Sequence, residues 1–484
     1  MAVSEDVVAA LRPHPRTCSI PLRPSRLHIA CITLIAALAT VALTGCVSTS
    51  ETALDDAQAP RKPNIVLILM DDLGYADLGC QGFFTDIQTP NIDSLARGGV
   101  RFTSAYATAP VGSPSRAALL TGRYQQRFGH ERDTGSLTRV INDNIGLPAS
   151  ELTLADILKA EGYATGIIGK WHLGANDRYH PVNRGFDEFF GHLGAAHWYT
   201  VWDDHNWGPI YRGMAAARGD DYLTDAFSRE AVSFVQRHHD EPFLLFLAYN
   251  AVHAPLQAPK EHLERFSYIA DESRRTLAAM LSVADDGIGH LLQALRRSGI
   301  ERDTLIFFMS DNGGDPGTNA SRNDPLRGAK GSLYEGGIRV PFILRWPAAV
   351  PAGLVYDEPI STLDVFPTAV AAARVKLPRD RIFDGVNIVP YVTGENENSP
   401  RDALYWRWGD HFAMRRGQWK LVKSGRSEPA LYDLDADVGE RDDLAQNEAR
   451  LVKKLTAEYA RWQQQMAEPL WLAPGQEPPR RNTR

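Results

Sequence analysis

The sequence predicts an α/β fold in which a mixed, mostly parallel β-sheet lies between helices. Four continuous apolar runs indicate strands that are buried on both faces, as in a parallel sheet. The runs are residues 64–70, 164–169, 243–249 and 304–309. Each run ends in a polar cluster, and a segment typical of a helix, residues 274–297, lies between the third run and the fourth. Strands that alternate with helices in this way predict the fold class.

The composition is that of an ordinary globular protein. The chain has 484 residues, of which 44% are hydrophobic and 23% charged, enough for one large domain and a smaller one. Its formal net charge of -7 argues against binding of polyanions by bulk electrostatics. We therefore expect no nucleic-acid partner, and an anionic substrate must be held by local cations.

The N-terminus predicts an export signal over residues 1–45. Basic residues precede an apolar run, residues 29–43, that is shorter than the ~20 residues of a membrane span. The run ends in Leu-Thr-Gly-Cys46, which resembles a bacterial lipobox and implies that Cys46 carries a lipid anchor. An ordinary signal peptide with an incidental cysteine is the alternative. Residues 46–61 are polar and small enough for a tether, so we expect a membrane-anchored lipoprotein facing the periplasm or cell exterior.

Adjacent carboxylates, Asp71 and Asp72, directly follow the first apolar run. They repel each other unless a cation is shared, and a hard cation with oxygen ligands satisfies them. The alternative is a solvated strand end. Asp311 and Asn312 follow the fourth run in the same way. Because the carboxyl ends of parallel strands share one edge, we expect these four side chains to face a single ion.

The two middle runs are followed by histidines. Residues 164–169 lead into Lys170-Trp-His172, and residues 243–249 lead into His253-Ala-Pro. A single histidine after a strand is most often structural. From the residues alone, the structural interpretation of each histidine stays open.

The segment Val-Gly112-Ser-Pro-Ser-Arg116 predicts a turn that enters a helix. We expect Ser113 to be the N-cap and Pro114 the first helical residue. Ser115, Arg116 and the unpaired N–H groups of the first turn would then face an anion, which the helix dipole favours. A turn without any ligand is the simpler alternative.

This segment resembles the signature of the sulfatases, Cys-x-Pro-Ser-Arg followed by a short run and Leu-Thr-Gly. Pro114 to Arg116 and Leu120 to Gly122 are in register with it. Gly112 stands where the family has the cysteine that is oxidised to formylglycine, and without a Cβ it cannot form that residue. The resemblance extends over roughly residues 62–445 and includes Gly-Lys-Trp-His, His-x-Pro and the string from residue 326 to 341.

The resemblance implies an architecture. Sulfatases share the α/β sandwich of the alkaline phosphatases, to which a small C-terminal α+β domain with an antiparallel sheet is added. We therefore expect a catalytic-type domain over residues 62–390, the small domain over 391–470 and a tail over 471–484. Residues 419–422 and 431–434 look like hairpin strands of the small domain.

The resemblance also implies roles for individual residues. One Ca²⁺ would be held by Asp71, Asp72, Asp311 and Asn312. Mg²⁺ fits this set less well, because several carboxylates and an amide suit a larger, more flexible shell. Arg116 and Lys170 would support the nucleophile and His172 would act in breakdown of the intermediate. His253 and Lys330 would contact sulfate or protonate the leaving oxygen.

The glycine at position 112 leaves three explanations open. Gly112 could stand for a modified residue, or Ser113 or a Ca²⁺-bound water could attack directly. The third explanation is a pseudoenzyme that binds sulfated glycan without hydrolysis. The family assignment predicts a sulfatase-type hydrolase of sulfate esters, acting on a sulfated glycan or aryl sulfate. A binding module unrelated to the sulfatases would not explain charged motifs at successive strand ends.

Overall fold

The computed structural model describes residues 61–471, apart from residues 136, 143 and 205. These residues all belong to one compact unit. The predicted signal peptide, Cys46, the tether up to residue 60 and the tail from residue 472 lie outside the described residues. Within the described part, no helix is long and apolar enough to cross a membrane.

The strands are short, and the longest of them are the apolar runs. In chain order they are β1 (Asn64–Met70), β2 (Val100–Phe102), β3 (Ala105–Tyr106), β4 (Ala164–Lys170), β5 (Glu188–His192), β6 (Asp203–Asp204), β7 (Gly208–Pro209), β8 (Tyr211–Arg212), β9 (Ala215–Ala216), β10 (Phe243–Ala248), β11 (Thr304–Ser310), β12 (Phe342–Arg345), β13 (Leu354–Tyr356), β14 (Ile360–Ser361), β15 (Ala403–Trp408), β16 (His411–Arg416), β17 (Trp419–Lys423) and β18 (Ala430–Asp433).

The helices lie between these strands. They are α1 (Pro90–Arg97), α2 (Gly112–Thr121), α3 (Leu137–Asn142), α4 (Leu154–Ala160), α5 (Leu223–His238), α6 (Lys260–Arg265), α7 (Glu272–Arg297), α8 (Pro316–Asn319), α9 (Glu335–Ile338), α10 (Val365–Ala372), α11 (Val389–Val392) and α12 (Ala449–Gln463). Short 3₁₀ helices span Gly79–Gln81, Gln125–Phe128, Asp177–Tyr179, Pro181–Asn183 and Thr362–Asp364.

The main sheet is mixed, and its centre is parallel. Among the described residues its order is β13-β2-β12-β11-β1-β10-β4-β5-β8-β9. The five strands from β11 to β5 in this order run parallel. Antiparallel partners flank them on both sides, with β12 beside β11 and β8 beside β5. The predicted mixed, mostly parallel sheet is therefore confirmed.

Strand β1 shows why the sheet is covered on both faces. Its alternate residues Ile65 and Leu67 belong to the core that contains α2, α4 and α10. Val66 and Ile68 belong to the opposite core, with α1, α5 and α7. All four side chains are fully buried. Each contributes roughly 1.5–3 kcal/mol by its burial, so a continuous apolar run suits a strand with a helical layer on each side.

Strand register places the polar strand ends beside one another. Met70 pairs with Ser310 in the parallel ladder of β1 and β11, and the N–H of Asp311 donates to the carbonyl of Met70 at 3.1 Å. Asp71 and Asp311 therefore leave the sheet side by side. The expectation that these two strand ends meet at one edge is correct.

The C-terminal part forms a second sheet of antiparallel strands in the order β15-β16-β17-β18. Helix α12 packs on it through Tyr459 and Trp462, and the same core includes Ala118 of α2. The predicted antiparallel C-terminal sheet is confirmed, including the pairing of the two predicted strands as β17 and β18. This sheet thus packs against the helix that begins at Gly112.

The predicted start of α2 is wrong by two residues. The helix begins at Gly112 with Val111 as N-cap, and no side chain caps it. Ser113 is buried inside the first turn, where its hydroxyl bonds to His130 and to the carbonyl of His172. Pro114 is the third helical residue, which is tolerated because the first N–H groups of a helix have no partner within it. Tertiary hydrogen bonds therefore outweigh the capping preference of serine here.

Candidate active site

Four oxygen-bearing side chains meet at the ends of β1 and β11. All are buried, and they are Asp71, Asp72, Asp311 and Asn312. The N–H of Asp72 donates to Asp311 Oδ1 at 3.2 Å, and Asn312 Nδ2 donates to Asp72 Oδ1 at 2.7 Å. The fold thus brings together all four residues that the sequence predicts as ligands of one ion.

The arrangement of these oxygens fits a hard cation. Ligand atoms of Asp71, Asp72 and His253 lie within 4.8 Å of one another. Asp71 Oδ1 and Asn312 Oδ1 are buried, and within the described residues neither accepts a hydrogen bond. Buried acceptors normally have a partner, and a cation with oxygen ligands supplies one. Asp71, Asp72, Asp311 and Asn312 could therefore hold Ca²⁺, with His253 close to the same position.

Two buried cations contact the carboxylates of Asp71 and Asp311. Lys170 Nζ, at the end of β4, donates to Asp71 Oδ2 at 2.6 Å. Arg116 Nε, from α2, donates to Asp311 Oδ2 at 2.9 Å, and its Nη1 donates to the carbonyl of Lys170 at 3.2 Å. Arg116 Nη2 is also buried and donates no hydrogen bond inside the described part of the chain. The two side chains form a fixed positive wall of the kind that stabilises developing negative charge.

Two further groups lie at the solvent side of the site. The side chains of Lys330 and His253 are 22% and 20% exposed, respectively. Lys330 Nζ donates to Asp72 Oδ2 at 2.7 Å, and His253 Nε2 lies 3.6 Å from the same oxygen. Burial disfavours the ammonium, but Asp72 and Asp71 outweigh it and raise the pKa of Lys330. Lys330 is therefore cationic at neutral pH and within reach of an entering anion.

The pKa values of Asp71 and Asp311 are shifted in opposite directions. Burial raises the pKa of Asp71, and Lys170 opposes this shift only in part. Burial acts on Asp311 as well, but Arg116 and Lys170 outweigh it and lower its pKa. A divalent cation would favour the ionised form of both groups. Of these two carboxyls, Asp71 is the one whose surroundings favour the neutral form.

Gly112 lies at the centre of these groups. A Cβ built on it would stand 2.9 Å from Asp311 Oδ2, 3.4 Å from His172 Nδ1 and 3.7 Å from Arg116 Nε. Gly112 is helical, so its backbone does not require a glycine. A side chain at position 112 would thus point between Asp311, one of the predicted metal ligands, and His172. A nucleophile could lie there, but glycine has no side chain to supply one.

His172 has a partner that the sequence analysis missed. Its Nε2 lies 3.1 Å from Asp133 Oδ1, while its Nδ1 is buried without a hydrogen bond among the described residues. Burial is the main reason that its pKa falls to about 4, so the imidazole is neutral at pH 7. Its backbone is in the left-handed region with φ 62°, a strain that persists mainly at functional sites. Asp133 belongs to no spaced motif, so only the fold could identify it.

Ser113 lies beside this group but is turned away from it. Its Oγ is 2.8 Å from His130 Nε2 and donates to the carbonyl of His172 at 2.9 Å. The residue is fully buried. None of its hydrogen bonds within the described residues reaches a carboxylate or cation of the site. The geometry therefore does not favour Ser113 as the attacking group.

Comparison with known proteins identifies this arrangement. A family model described as "Sulfatase" matches residues 63–375, and one described as "N-sulphoglucosamine sulphohydrolase, C-terminal" matches residues 329–465. The chain belongs to the sulfatase family. It is 35% identical to the N-acetylgalactosamine-6-sulfatase of Mus musculus over 391 residues, or 75% of this chain and 72% of that protein. It is 34% identical to the arylsulfatase D of Homo sapiens over 445 residues, or 75% and 74% of the two chains.

Solved structures agree with the sulfatase assignment. The crystal structure of Ps i-CgsB in complex with k-i-k-neocarrahexaose matches with a TM-score of 0.80 and 38% identity. The match covers 85% of the sulfatase described here and 95% of that chain. A phosphonate monoester hydrolase from Silicibacter pomeroyi shares the fold, with a TM-score of 0.64 and 18% identity over 85% and 97% of the chains. The predicted alkaline-phosphatase-like architecture is confirmed.

The groups of the sulfatase site suit the charge that develops during sulfate-ester hydrolysis. The family hydrolyses sulfuric esters, a reaction in which negative charge grows on the oxygens around sulfur. Arg116, Lys170 and Lys330 can balance that charge, and His172 presents a neutral nitrogen that can accept a proton. Every residue predicted for catalysis or metal binding, except Ser113, therefore lies in one cluster, although at position 112 there is no side chain.

Proposed function

We propose that this sulfatase hydrolyses the sulfate ester of a glycan at a Ca²⁺-dependent site. The convergence of carboxylates and cations on Gly112 carries the proposal, since a Cβ there would stand 2.9 Å from Asp311 Oδ2 and 3.4 Å from His172 Nδ1. Ca²⁺ held by Asp71, Asp72, Asp311 and Asn312 would polarise the sulfate oxygens and neutralise the carboxylates. Mg²⁺ would suit this set of ligands less well.

Support for a glycan substrate comes from the relatives. One of them is named for N-acetylgalactosamine 6-sulfate chemistry, and the structure at a TM-score of 0.80 contains a neocarrahexaose. The first name is that of a sulfatase of an amino sugar, and the second describes a complex with an oligosaccharide. We infer a sulfated glycan as the natural ligand of this protein, with aryl sulfates as convenient probes.

The proposed catalytic roles follow from the side of the site on which each group lies. Lys330 and Arg116 hold the sulfate oxygens, because each is a permanent cation that faces the cluster. His253 lies at the partly exposed rim, where the alcohol leaves, and gives that oxygen its proton. His172 Nδ1 accepts a proton at position 112. The sulfur–oxygen bond of the ester breaks, and the products are the alcohol and inorganic sulfate.

The nucleophile must differ from that of other sulfatases. Formylglycine cannot form at Gly112, and the hydroxyl of Ser113 is engaged by His130 and the carbonyl of His172. We propose that a water molecule in the place of the missing side chain attacks sulfur and passes its proton to His172. A water is a weaker nucleophile than an alkoxide built into the protein, so we expect slow turnover.

Binding without turnover is the second candidate function. The absent Cβ of Gly112 favours it, because the groups that bind sulfate do not need residue 112. Each lost decade of rate corresponds to ~1.4 kcal/mol of barrier, so loss of the covalent route could remove many decades and leave affinity intact. A pseudoenzyme of this kind would act as a receptor for sulfated glycan.

Assays of the unsubstituted protein separate these possibilities. We expect saturable, Ca²⁺-dependent binding of a sulfated oligosaccharide, together with slow release of sulfate from a chromogenic aryl sulfate. Mass spectrometry of the peptide that contains residue 112 should find unmodified glycine. Ser113→Ala should retain the slow activity, whereas Arg116→Ala and His253→Ala should lose it. Rapid turnover that survives Arg116→Ala and His253→Ala would place the chemistry elsewhere.

We also propose that the mature protein is an exported lipoprotein anchored through Cys46. Support comes from the lipobox-like sequence that ends at this residue. Metabolic labelling with a radioactive fatty acid should label the unsubstituted protein and Cys31→Ser, but not Cys46→Ser. Label that persists in Cys46→Ser would exclude this anchor.

A further inference from the structure

The last described residues run along the loop that carries Asp133. We call residues 467–471 the C-terminal strap. The N–H of Ala467 donates to the carbonyl of Gln126 at 2.8 Å, and the N–H of Leu470 donates to that of Gly129 at 2.9 Å. At its end, Trp471 Nε1 donates to the carbonyl of Asp133 at 3.2 Å. The strap is therefore bonded to the loop at both ends and ends beside the residue that contacts His172.

The same loop is held by the C-terminal sheet. Arg407 of β15 contacts Glu131 with its Nε at 2.9 Å and its Nη2 at 2.6 Å. The ring of Trp471 packs edge-on against His130 with 4.7 Å between centroids. His130 and Glu131 are buried, so the loop has little freedom to move. Two elements of the C-terminal part, the strap and β15, thus hold the loop that carries Asp133.

Asp133 fixes the orientation of His172. A carboxylate can only accept hydrogen bonds, so the Nε2 of His172 must carry the proton in their 3.1 Å contact. The neutral ring then has its lone pair on Nδ1, which lies 3.4 Å from the Cβ position of residue 112. The opposite tautomer would present an N–H to that position and could not accept a proton there.

We propose that Asp133 is a positioning residue for His172 and that the C-terminal strap sets the position of Asp133. The proposal rests on the proposed function, since it assigns His172 as the proton acceptor at position 112. Asp133 touches no reacting atom and acts through the tautomer and the ring orientation of His172. The C-terminal part of the chain is thereby a component of the active site.

A purely structural role explains the contact between Asp133 and His172 less well than a positioning role does. The side chain of Asp133 is 38% exposed, whereas that of His172 is 3% exposed. Because the imidazole is neutral and Asp133 is partly exposed, the contact is one hydrogen bond rather than a buried ion pair, and such a bond stabilises a fold only modestly. The N–H of Gly135 also donates to Asp133 Oδ1 at 3.1 Å, so the oxygen that faces His172 is held from a second side. The geometry is that of an acceptor held in one place.

The first test reads the tautomer of His172 directly. Histidine-selective ¹⁵N NMR distinguishes protonated from unprotonated ring nitrogens, and His172→Gln assigns the signal among the 14 histidines. In the unsubstituted protein we expect Nε2 protonated and Nδ1 unprotonated. Asp133→Ala should give a mixture of tautomers. Asp133→Asn should largely restore the native pattern, because its amide oxygen can accept from both His172 and Gly135.

The second test measures rates in a Gly112→Cys background converted to formylglycine. Asp133→Ala should lower kcat about tenfold or more, with KM and Ca²⁺ affinity unchanged, as for other residues that orient a functional histidine. Trp471→Phe keeps the ring against His130 but loses the N–H donor, and it should lower kcat by a smaller factor. If Asp133→Ala does not fold, Asp133→Asn and Trp471→Phe still provide the comparison.

Asp384→Asn is the matched control. Asp384 holds Arg127 of the same loop through two hydrogen bonds, at 2.7 and 2.6 Å, and none of its hydrogen bonds within the described residues reaches His172. It should leave the tautomer and kcat unchanged. The proposal is wrong if Asp133→Ala keeps the native tautomer and kcat, or if Asp384→Asn changes both equally. Failure of sulfate-ester binding in the unsubstituted protein would instead overturn the proposed function, while the NMR result would still stand.

Discussion

Lys170 and Asp71 form a 2.6 Å hydrogen bond between the ends of two strands that are not neighbours. Strand β10 lies between β4, which ends at Lys170, and β1, which ends just before Asp71. Strand β10 ends at Ala248, which is in register with Leu69 of β1 on one side and with Gly169 of β4 on the other. The charge balance of the site therefore depends on the register of three parallel strands.

Removal of Asp311 should abolish the binding of Ca²⁺. Asp311→Ala deletes one of four proposed ligands and leaves Arg116 Nε without its acceptor at 2.9 Å. Isothermal titration calorimetry and elemental analysis should find no bound metal. In the unsubstituted protein, Ca²⁺ at 100 times its Kd should add about 2.7 kcal/mol to the free energy of unfolding.

The matched control for this prediction is Asp357→Ala, because Asp357 is an exposed carboxylate directly after β13, the edge strand of the main sheet. It should bind Ca²⁺ like the unsubstituted protein. Because the loss of Asp311 also leaves Arg116 buried without its partner, Asp311→Ala should melt at a lower temperature even without metal. Unchanged metal content in Asp311→Ala would contradict the assignment.

Restoration of the nucleophile should restore rapid turnover. Gly112→Cys, co-expressed with a formylglycine-generating enzyme, should hydrolyse a chromogenic aryl sulfate orders of magnitude faster than the unsubstituted protein. The backbone is helical and accepts a side chain, and the 2.9 Å approach of its Cβ to Asp311 Oδ2 requires only a small shift of that carboxylate. Gly112→Ala is the control and should remain slow. Formylglycine at residue 112 without a gain in rate would refute the role of this position.

Loss of Lys330, the partly exposed cation of the site, should weaken the binding of sulfate esters. Lys330→Ala should raise the Kd of a sulfated oligosaccharide roughly 10–100-fold, because a hydrogen bond to a charged group contributes about 1.5–3 kcal/mol. Lys159→Ala is the control, since Lys159 is a surface lysine paired with Asp187 at 2.6 Å. Equal affinity of the two variants, measured by calorimetry at one salt concentration, would show that Lys330 does not bind the sulfate ester.

A buried carboxyl group should make stability depend on pH. Glu440 is fully buried beside Lys420, at 2.9 Å, and its Oε2 accepts from the N–H of Glu335 at 2.6 Å. Burial, opposed by Lys420 and supported by Glu335, raises its pKa from the ordinary 4.5 to about 7. Between these pH values the Glu440 carboxyl is more protonated in the folded protein than in the unfolded chain. Its contribution to the free energy of unfolding should therefore fall as pH rises, by at most about 1.4 kcal/mol per unit.

Glu440→Gln isolates this effect, because an amide does not titrate. Denaturant unfolding at several pH values between 4.5 and 7 should show that the free energy of unfolding of the unsubstituted protein, relative to that of Glu440→Gln, falls as pH rises. Glu448→Gln is an exposed control and should keep the original slope. Parallel curves for all three proteins would show that Glu440 does not titrate in this range.

The sequence predicted the elements better than it predicted their contacts. The run from Asn64 to Met70 forms a strand with the expected bounds, since an uninterrupted apolar run is a local property that needs no knowledge of the partner. The start of α2 was missed because the capping preference of Ser113, worth about 1 kcal/mol, competes with its hydrogen bonds to His130 and His172. Local preferences of this size are readily overridden by the tertiary structure.

By itself, the sequence determined which chemical groups stand at the strand ends and that residue 112 has no side chain. Motif spacing was sufficient for Asp71, Asp311, Lys170 and His253, because each follows a recognisable strand. Only the tertiary structure decided that Asp133 and the C-terminal strap belong to the site, more than 300 residues apart in the chain. The physical reason is that a hydrogen bond depends on distance in space, and strand order and packing determine that distance.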